Sequence, residues 1–227
     1  MVIISLKQHQ NFGPSQIRLQ VVSDKIIRVQ ATAEQSFRNK QSLIIVPQNS
    51  KANYKVEEQG DNLIITTAAM RAVMNEATGQ ITFYDLKDNV LLNEVAQGGK
   101  TFKPFTVPDR EMGVDIAKVP EAQKHGWSWR ALFNSPDNEA FYGLGQHQSE
   151  ELNMKGKNED LFQYNTKVSV PFVISNKNYG ILWDSYSYCR WGNPEDYLQL
   201  NRAFKLYDKD GKEGQLTGTY VDKNGKK

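Results

Sequence analysis

The segment FYGLGQ, Phe141–Gln146, decides how the rest of this chain is interpreted, together with the apolar run VPFVIS at 170–175. Two glycines, Gly143 and Gly145, interrupt the first run at positions i and i+2. A polar segment that contains a further glycine separates the two runs. This order predicts a strand, a long functional loop and a second strand. The paired glycines predict a β-bulge or a close approach of two strands.

The motifs around this stretch resemble the N-terminal β-domain of glycoside hydrolase family 31, a family of α-glucosidases and α-xylosidases. In that family a YGLG(E/Q) strand is followed by a Leu-Asn pair, a loop carrying an aspartate, a PFxxS motif and a YGIxxD motif. The matching parts here are FYGLGQ, Leu152 with Asn153, Asp160, PFVIS at 171–175 and YGILWD at 179–184. The resemblance extends over about residues 15–200. It implies an all-β fold, an antiparallel two-sheet β-sandwich of the galactose-mutarotase-like type.

Residue patterns elsewhere favour the same fold class. Apolar residues alternate with polar ones in several short runs, and turn residues separate these runs; the clearest examples lie within 16–30, 54–67 and 70–92. Short strands joined by turns are typical of an antiparallel sandwich. No long amphipathic helix is evident, and we expect helix in under about 10% of the chain. Only 36–42 and 69–77 are ambiguous, and prolines predict irregular chain or a bent edge strand at 98–122.

The composition is that of an ordinary globular protein, with 39% hydrophobic and 24% charged residues in a chain of 227. The net charge of +2 comes from dispersed lysines and arginines, so no basic stripe predicts a nucleic-acid partner. No apolar run reaches the ~20 residues of a membrane span. The single cysteine, Cys189, excludes a disulfide framework and is interpreted as a small buried or half-buried strand residue. His125 and His147 lack partners at metal-ligand spacing, so no metal or other cofactor is predicted.

The domain organisation is predicted from a change of composition near the C-terminus. Residues 1–200 form the predicted N-terminal β-sandwich domain. Residues 201–227 begin with a polar, turn-rich linker and continue as a strand that looks like the truncated start of an inserted protective-antigen-type carbohydrate-associated module. This ending indicates a fragment of a larger enzyme. A fragment would be expected to lack any signal peptide of its parent, so the missing signal does not argue against export. A periplasmic or cell-surface parent enzyme is therefore favoured over a cytoplasmic one.

The resemblance also implies where catalysis resides. Family 31 enzymes are retaining glycosidases, which use two carboxylates that flank the scissile bond. In the family both lie on a (β/α)₈ barrel that follows this domain, with the nucleophile in a WxDMN-type motif that is absent here. A barrel also needs ~250 residues of alternating strands and helices. The chain is therefore expected to contain no catalytic residue, to have the barrel of its parent chain as partner, and to be inactive alone.

A loop of this domain shapes the sugar subsites in the family, and the matching segment here is about 155–166. The implied substrate-binding residues are Asp160, Gln163, Tyr164 and Asn165. Asp160 can accept hydrogen bonds from sugar hydroxyls, the two amides can donate and accept, and Tyr164 can pack on a sugar face. The alternative is a solvated loop whose Asp and Asn only close turns. The loop sequence resembles the α-xylosidase branch more than the α-glucosidase branch, so a xylosylated oligosaccharide is the favoured substrate.

Two other functions stay open at this point. The chain could be a free-standing carbohydrate-binding sandwich that holds glycan on an aromatic face; the available tryptophans are Trp127, Trp129, Trp183 and Trp191. Against this, Trp127 and Trp129 alternate across Ser128 on one strand face, and burial in the sandwich core is the prediction. The third option is a mutarotase-type enzyme. It would need a histidine and a carboxylate placed as acid and base, which three scattered histidines do not suggest.

Overall fold

The computed structural model describes residues 1–6, 11–38, 41–46, 52–106, 116–148, 151–163, 165–192, 206–207 and 213–214. The strands are β1 (Val2–Ser5), β2 (Gln16–Ser23), β3 (Ile26–Thr32), β4 (Lys55–Gln59), β5 (Asn62–Thr66), β6 (Arg71–Asn75), β7 (Ile81–Tyr84), β8 (Val90–Glu94), β9 (Lys100–Thr106), β10 (His125–Ala131), β11 (Phe133–Asn134), β12 (Phe141–Gln146), β13 (Glu159–Leu161), β14 (Val168–Ser175), β15 (Tyr179–Leu182), β16 (Cys189–Trp191), β17 (Leu206–Tyr207) and β18 (Glu213–Gly214). A 3₁₀ turn at Ile116–Lys118 and a four-residue helix α1 (Glu121–Lys124) precede β10. The all-β antiparallel prediction is confirmed.

The chain divides into two compact units, Met1–Asn193 and Pro194–Lys227. Within the second, β17 pairs antiparallel with β18. Most of 201–227 lies outside the described residues, so the linker and truncated module stay a prediction. In the part of the chain that the structure describes, no helix has the length and apolar character needed to cross a membrane.

The first half of the larger unit consists of two antiparallel sheets, ordered β1-β2-β3 and β11-β8-β7-β6-β5-β4. Tight turns between sequential strands build them. Gln59 pairs with Asn62 across a two-residue connection in which Gly60 has φ of +60°, a conformation that glycine adopts without steric cost. The segment 69–77, ambiguous in sequence, contains β6 and is not helical.

A first hydrophobic cluster holds these two sheets together. Its buried members come from the residue that follows β1 and from β2, β5, β6 and β7: Leu6, Ile17, Leu19, Leu63, Ile65, Ala72, Met74 and Ile81. They occur at every second position of their strands, so each strand presents one apolar side to the opposite sheet. Burying one such aliphatic side chain contributes about 1.5–3 kcal/mol relative to leaving it exposed.

A buried ion pair closes one end of this cluster. Lys100 pairs with Glu94, and the lysine also donates to the Gly79 carbonyl oxygen at 3.0 Å. The Glu94 carboxylate accepts the Ile81 backbone N–H at 2.8 Å. Burial raises the pKa of Glu94 and lowers that of Lys100. Each charge is compensated by its partner, and removing one of them would leave the other buried and unpaired, which is strongly destabilising.

The second half of the unit is built on a three-stranded sheet, ordered β12-β14-β15. The register of β12 against β14 shifts between Gly143 and Gly145, which have φ of +132° and +101°. A Cβ at Gly143 would meet the Phe172 carbonyl oxygen at 2.5 Å, and one at Gly145 would meet that of Val168 at 2.0 Å. The predicted bulge with close strand approach is confirmed. It turns Leu144 inward, where its side chain is buried.

The burial predicted for Trp127 and Trp129 is wrong. They do share one face of β10, but in the part of the chain that the structure describes β10 pairs with β9 alone, in a two-stranded sheet, and the two residues are 44% and 42% exposed. The Trp129 ring stacks on Trp183 at a centroid distance of 4.2 Å. Strand β9 also includes Pro104, so part of the segment predicted to be irregular or a bent edge is a strand in a two-stranded sheet, where proline is tolerated.

Candidate functional site

The candidate segment contains a short strand where a loop was expected. β13 pairs antiparallel with β16, with Glu159 opposite Trp191, Asp160 opposite Arg190 and Leu161 opposite Cys189. Side chains alternate across this two-stranded ribbon, so Asp160 and Arg190 share its outer face. The prediction of a continuous loop over 155–166 is therefore wrong for its centre.

The inner face of the ribbon is fixed to a second hydrophobic cluster. That cluster consists of Phe141, Leu144, Met154 and Val173, and Leu161 and Trp191 of the ribbon pack against it. The Trp191 ring meets Phe141 edge-on at a centroid distance of 5.2 Å, and its indole N–H donates to the Met154 carbonyl oxygen at 3.1 Å. Cys189 lies half-buried in this strand, as predicted. The ribbon is thus anchored from beneath.

A buried polar contact supports the same face. The Glu159 carboxylate lies 2.7 Å from the Lys167 ammonium and 3.2 Å from Nδ1 of His147. The other ring nitrogen, Nε2, lies 2.7 Å from the Leu144 carbonyl oxygen. Only about 5% of the His147 side chain and 15% of the Glu159 side chain are exposed. Since Glu159 precedes Asp160 directly, these contacts fix the backbone that presents the Asp160 carboxylate.

The outer face of the ribbon combines one ion pair with two aromatic rings. Nε of Arg190 lies 2.9 Å from the Asp160 carboxylate and donates to the Tyr188 hydroxyl at 2.7 Å. The Phe162 ring meets the Tyr188 ring edge-on at 6.5 Å. Asp160 keeps 55% of its side chain exposed, and Phe162 and Tyr188 are 56% and 55% exposed. We call Asp160, Phe162, Tyr188 and Arg190 the ribbon site.

The ionisable groups of the ribbon site shift one another's pKa values. Burial raises the pKa of the Tyr188 hydroxyl; the hydrogen bond from Arg190 opposes this rise, and the Asp160 carboxylate adds to it. The pKa of the Arg190 guanidinium is raised, mainly by its hydrogen bond to Tyr188 and also by Asp160. Tyr188 is thus held as a neutral hydroxyl beside a fixed cation. The site offers an anionic acceptor, a cationic donor and two aromatic edges, a set that suits neutral polyols.

The other predicted substrate-binding residues lie beyond the ribbon. Gln163 and Asn165 are exposed, and the side-chain amide oxygen Oε1 of Gln163 accepts the Ser169 backbone N–H at 3.0 Å. Part of the hydrogen-bonding capacity of Gln163 is therefore used to join the segment to β14. Tyr164 lies outside the described residues. Whether any of the four contacts a sugar stays a prediction.

Arg190, Tyr188 and Phe162 were missed from the sequence. The segment around Cys189 reads correctly as a half-buried strand, but its pairing with Glu159–Leu161 joins positions some 30 residues apart, and nothing local encodes that register. Apolar–polar alternation on both sides of Cys189 was the one available signal. Among the described residues, no three His, Cys, Asp or Glu side chains are grouped to hold a metal ion.

Comparison with known proteins places the chain in a family. Residues 16–191 match the family described as the glycosyl hydrolase 31 N-terminal galactose mutarotase-like domain. This match covers most of the chain, so the protein belongs to that family, as its motifs predicted.

Individual relatives are longer proteins. The chain is similar to an α-xylosidase of Saccharolobus solfataricus, with 25% identity over 77% of this chain and 23% of the relative. Among solved structures it is similar to the family 31 α-xylosidase of Xanthomonas citri, with a TM-score of 0.75 and 36% identity over 94% of this chain and 21% of that one. A family 31 α-xylosidase from a soil metagenome, complexed with xylose, has a TM-score of 0.62 and 25% identity, over 79% and 27%. The chain thus spans about a fifth to a quarter of these relatives.

Proposed function

We propose that this chain is the N-terminal domain of a retaining α-glycosidase of family 31, an α-xylosidase, and that it packs on a (β/α)₈ catalytic barrel. Relatives named α-xylosidases, at 36% and 25% identity, support this substrate class. In this proposal the segment 155–166 forms part of the wall of the substrate site. The two catalytic carboxylates belong to the barrel.

One observation carries the proposal: the ribbon site is open on its outer face and rigidly supported on its inner face. An exposed Asp160–Arg190 pair would ordinarily be worth little to stability, because solvent screens it. In this proposal a neighbouring domain excludes water from the pair. The carboxylate and the guanidinium can then bind adjacent sugar hydroxyls by charge-assisted hydrogen bonds. Phe162 and Tyr188 supply apolar ring edges beside the pair.

The test is made in the full-length enzyme, meaning the longer family 31 polypeptide that carries this domain. Asp160→Ala and Asp160→Asn should lower kcat/KM for α-xylosides. Loss of one hydrogen bond to a charged group costs about 1.5–3 kcal/mol, which corresponds to roughly 10- to 150-fold. The melting temperature of the isolated chain should change little, because Asp160 is exposed.

Asp88→Asn is the matched control. Asp88 is also an exposed aspartate paired with an arginine, Arg71, at 2.8 Å, but it lies in the turn between β7 and β8. Its kcat/KM should equal that of the wild type. An unchanged kcat/KM in both Asp160 variants would refute the sugar contact.

The assignment of catalysis to the barrel is tested on the isolated chain. Purified to homogeneity, it should not hydrolyse chromogenic α-xylosides or α-glucosides. Turnover that co-purifies with the chain through several columns would contradict the assignment.

A free-standing carbohydrate-binding module is the second candidate, and one finding favours it. Trp127 and Trp129 are exposed on one strand face, as in a stacking platform for sugar rings. Isothermal titration of the isolated chain with xylose-containing oligosaccharides distinguishes the candidates. Binding that Trp127→Ala abolishes and Asp160→Ala leaves intact would favour the module.

A further inference from the structure

The imidazole ring of His147, beneath the ribbon site, has one nitrogen whose hydrogen-bonding capacity is not used. Nε2 lies 2.7 Å from the Leu144 carbonyl oxygen. Nδ1 is buried and makes no hydrogen bond to any described residue, although it lies 3.2 Å from Oε2 of Glu159. A buried polar atom without a partner is costly, so the position of this nitrogen beside a carboxylate needs a physical reason.

The contact with Leu144 fixes the tautomer of the neutral ring. A carbonyl oxygen can only accept a hydrogen bond, so Nε2 must carry a proton. In the neutral ring Nδ1 is then an acceptor, and it faces a carboxylate oxygen, which is an acceptor as well. The neutral ring therefore cannot satisfy both contacts. The protonated ring can, because both of its nitrogens are donors.

Two charged side chains face the ring from the neighbouring strands. Glu159 lies in β13, and Lys167 directly precedes β14. The Lys167 ammonium lies 2.7 Å from Oε2, the same carboxylate oxygen that lies beside Nδ1. Both side chains are largely buried, at 15% and 8% exposed. The contact is therefore shielded from solvent, and a charge placed in it is felt strongly by its neighbours.

The other charged groups near this part of the chain are already paired. Further along the segment that follows β12, Glu151 pairs with Lys157 at the surface. On the outer face of the ribbon, Asp160 pairs with Arg190. Glu159 is therefore the carboxylate positioned to receive a proton donor from the His147 ring.

A proton on Nδ1 would change how Glu159 is held. With a neutral ring, Oε2 is held by the Lys167 ammonium. With a charged ring, the same oxygen gains a second, charge-assisted donor, and such hydrogen bonds are roughly twice as strong as neutral ones. Histidine is the side chain that ordinarily gains this proton between about pH 5 and 8.

The Glu159 contact is linked to the ribbon site by chain continuity and by strand pairing. Glu159 directly precedes Asp160, and it lies opposite Trp191. Asp160 in turn lies opposite Arg190. A restraint on the Glu159 side chain therefore restrains the backbone of the two residues whose side chains form the ion pair on the outer face.

We infer that His147 is a pH-responsive positioning residue: on gaining a proton at Nδ1 it donates to Glu159 and fixes the strand pair that presents Asp160 and Arg190. The ribbon site then binds a neutral sugar more tightly in mildly acidic solution than above neutrality. The statement about sugar rests on the proposed function. The statement about the ribbon concerns this chain alone.

The first test is nitrogen-15 NMR spectroscopy of the isolated chain, which distinguishes protonated from unprotonated ring nitrogens. At about pH 8 the His147 ring should carry its proton on Nε2, and at about pH 5.5 on both nitrogens. A ring with its proton on Nδ1 at the higher pH already donates to Glu159, and would overturn the inference. A ring that keeps one state over this range would overturn it as well.

The second test follows the ribbon itself in the isolated chain. The backbone N–H signals of Asp160 and Arg190 should shift along the same titration curve as the His147 ring. This step should be absent in His147→Gln, whose amide does not titrate. Signals that ignore the His147 titration would overturn the inference; the wild type alone supplies this result if the variant does not fold.

His125→Gln is the matched control. His125 also faces a glutamate, Glu121, at 2.8 Å, but its side chain is 56% exposed and it lies at the start of β10. The shared titration step of the ribbon signals should persist in this variant. Its loss in His125→Gln would assign the step to the wrong histidine and refute the role of His147.

The third test uses the full-length enzyme and α-xylosides. From about pH 5.5 to 8, the KM of the wild type divided by that of His147→Gln should rise about three- to tenfold. The kcat profile should be the same in both, because it follows the carboxylates of the barrel. KM profiles that coincide would refute the effect on sugar binding. An unchanged kcat/KM in the Asp160 variants, with the NMR coupling intact, removes the proposed function and leaves the positioning role of His147.

Discussion

The strands of both halves of the domain alternate buried and outward-facing residues, but the outward-facing residues differ in chemistry. In β6, the inward residues Ala72 and Met74 are buried, and the outward Arg71 pairs with Asp88 and lies 4.8 Å from the Tyr84 ring. In β14, Val173 is buried in the same way, yet the outward Phe172 and its neighbours are apolar. Both halves expose apolar side chains. In the first half they are scattered, as at Val56 in β4 and Val90 in β8. In the second half Tyr142, Phe172, Ile174 and Leu182 lie side by side on the outer face of the sheet β12-β14-β15, which we call the open face. The two halves therefore differ in the outer surface that the same alternation produces, ion-paired in one and apolar in the other.

The largest expected effect uses a matched pair of isoleucines. Ile65 is fully buried in the first cluster, and Ile174 is 50% exposed on the open face. In the isolated chain Ile65→Ala should cost about 2–5 kcal/mol of unfolding free energy, and Ile174→Ala less than about 1 kcal/mol. Urea denaturation measures both. Equal losses of unfolding free energy would show that Ile174 is buried as fully as Ile65, and would contradict the assignment of an open face.

A smaller effect probes the bulge that shapes the second half. Gly145→Ala should destabilise the isolated chain by about 1–3 kcal/mol, because a Cβ there collides with the Val168 carbonyl oxygen in a backbone conformation that alanine disfavours. Gly126→Ala is the control, since no atom lies within 4 Å of the position a Cβ would take. Thermal melts of the two variants should separate clearly; coincident melts would show that the bulge is not a structural requirement.

The smallest effect concerns a turn in the first half. The Asp85 carboxylate accepts hydrogen bonds from the Asn89 side chain and backbone, both of which lower the Asp85 pKa. A depressed pKa stabilises the fold above the unfolded-state pKa, and this contribution is lost as the pH falls through the folded-state value. Wild type should therefore melt slightly above Asp85→Asn at neutral pH, and the gap should close below about pH 4. A difference in melting temperature that widens as the pH falls would contradict a stabilising role for the ionised Asp85 carboxylate.

Local features of the fold were predictable from the sequence because they depend on neighbouring residues. The period-two runs, the turn at Gly60 and the bulge at Gly143 and Gly145 all follow from residue types and their spacing. The exposure of Trp127 was not predictable in this way. Alternation shows that two side chains share a face, but only the packing of sheets shows whether that face is covered.

Only part of the candidate site was predicted, because one of its residues depends on the pairing of distant strands. The family motifs indicated Asp160, while its partner Arg190 comes from a distant strand whose register is fixed by Leu161 and Trp191 in the second cluster. The open face was present in the sequence as a run with apolar residues at consecutive positions. Its arrangement on one outer face became clear only when β14 proved to lie between two strands, with Val173 on the buried face.

The central claim, that the ribbon site meets sugar, is tested most directly by hydroxyl-radical footprinting of four exposed aromatic rings. In the isolated chain Tyr142 and Phe172 on the open face should be oxidised, as should Phe162 and Tyr188 on the ribbon site. In the full-length enzyme saturating xylose should protect Phe162 and Tyr188 and leave the oxidation of Tyr142 and Phe172 unchanged. Unchanged oxidation of Phe162 and Tyr188 with xylose bound would contradict the claim.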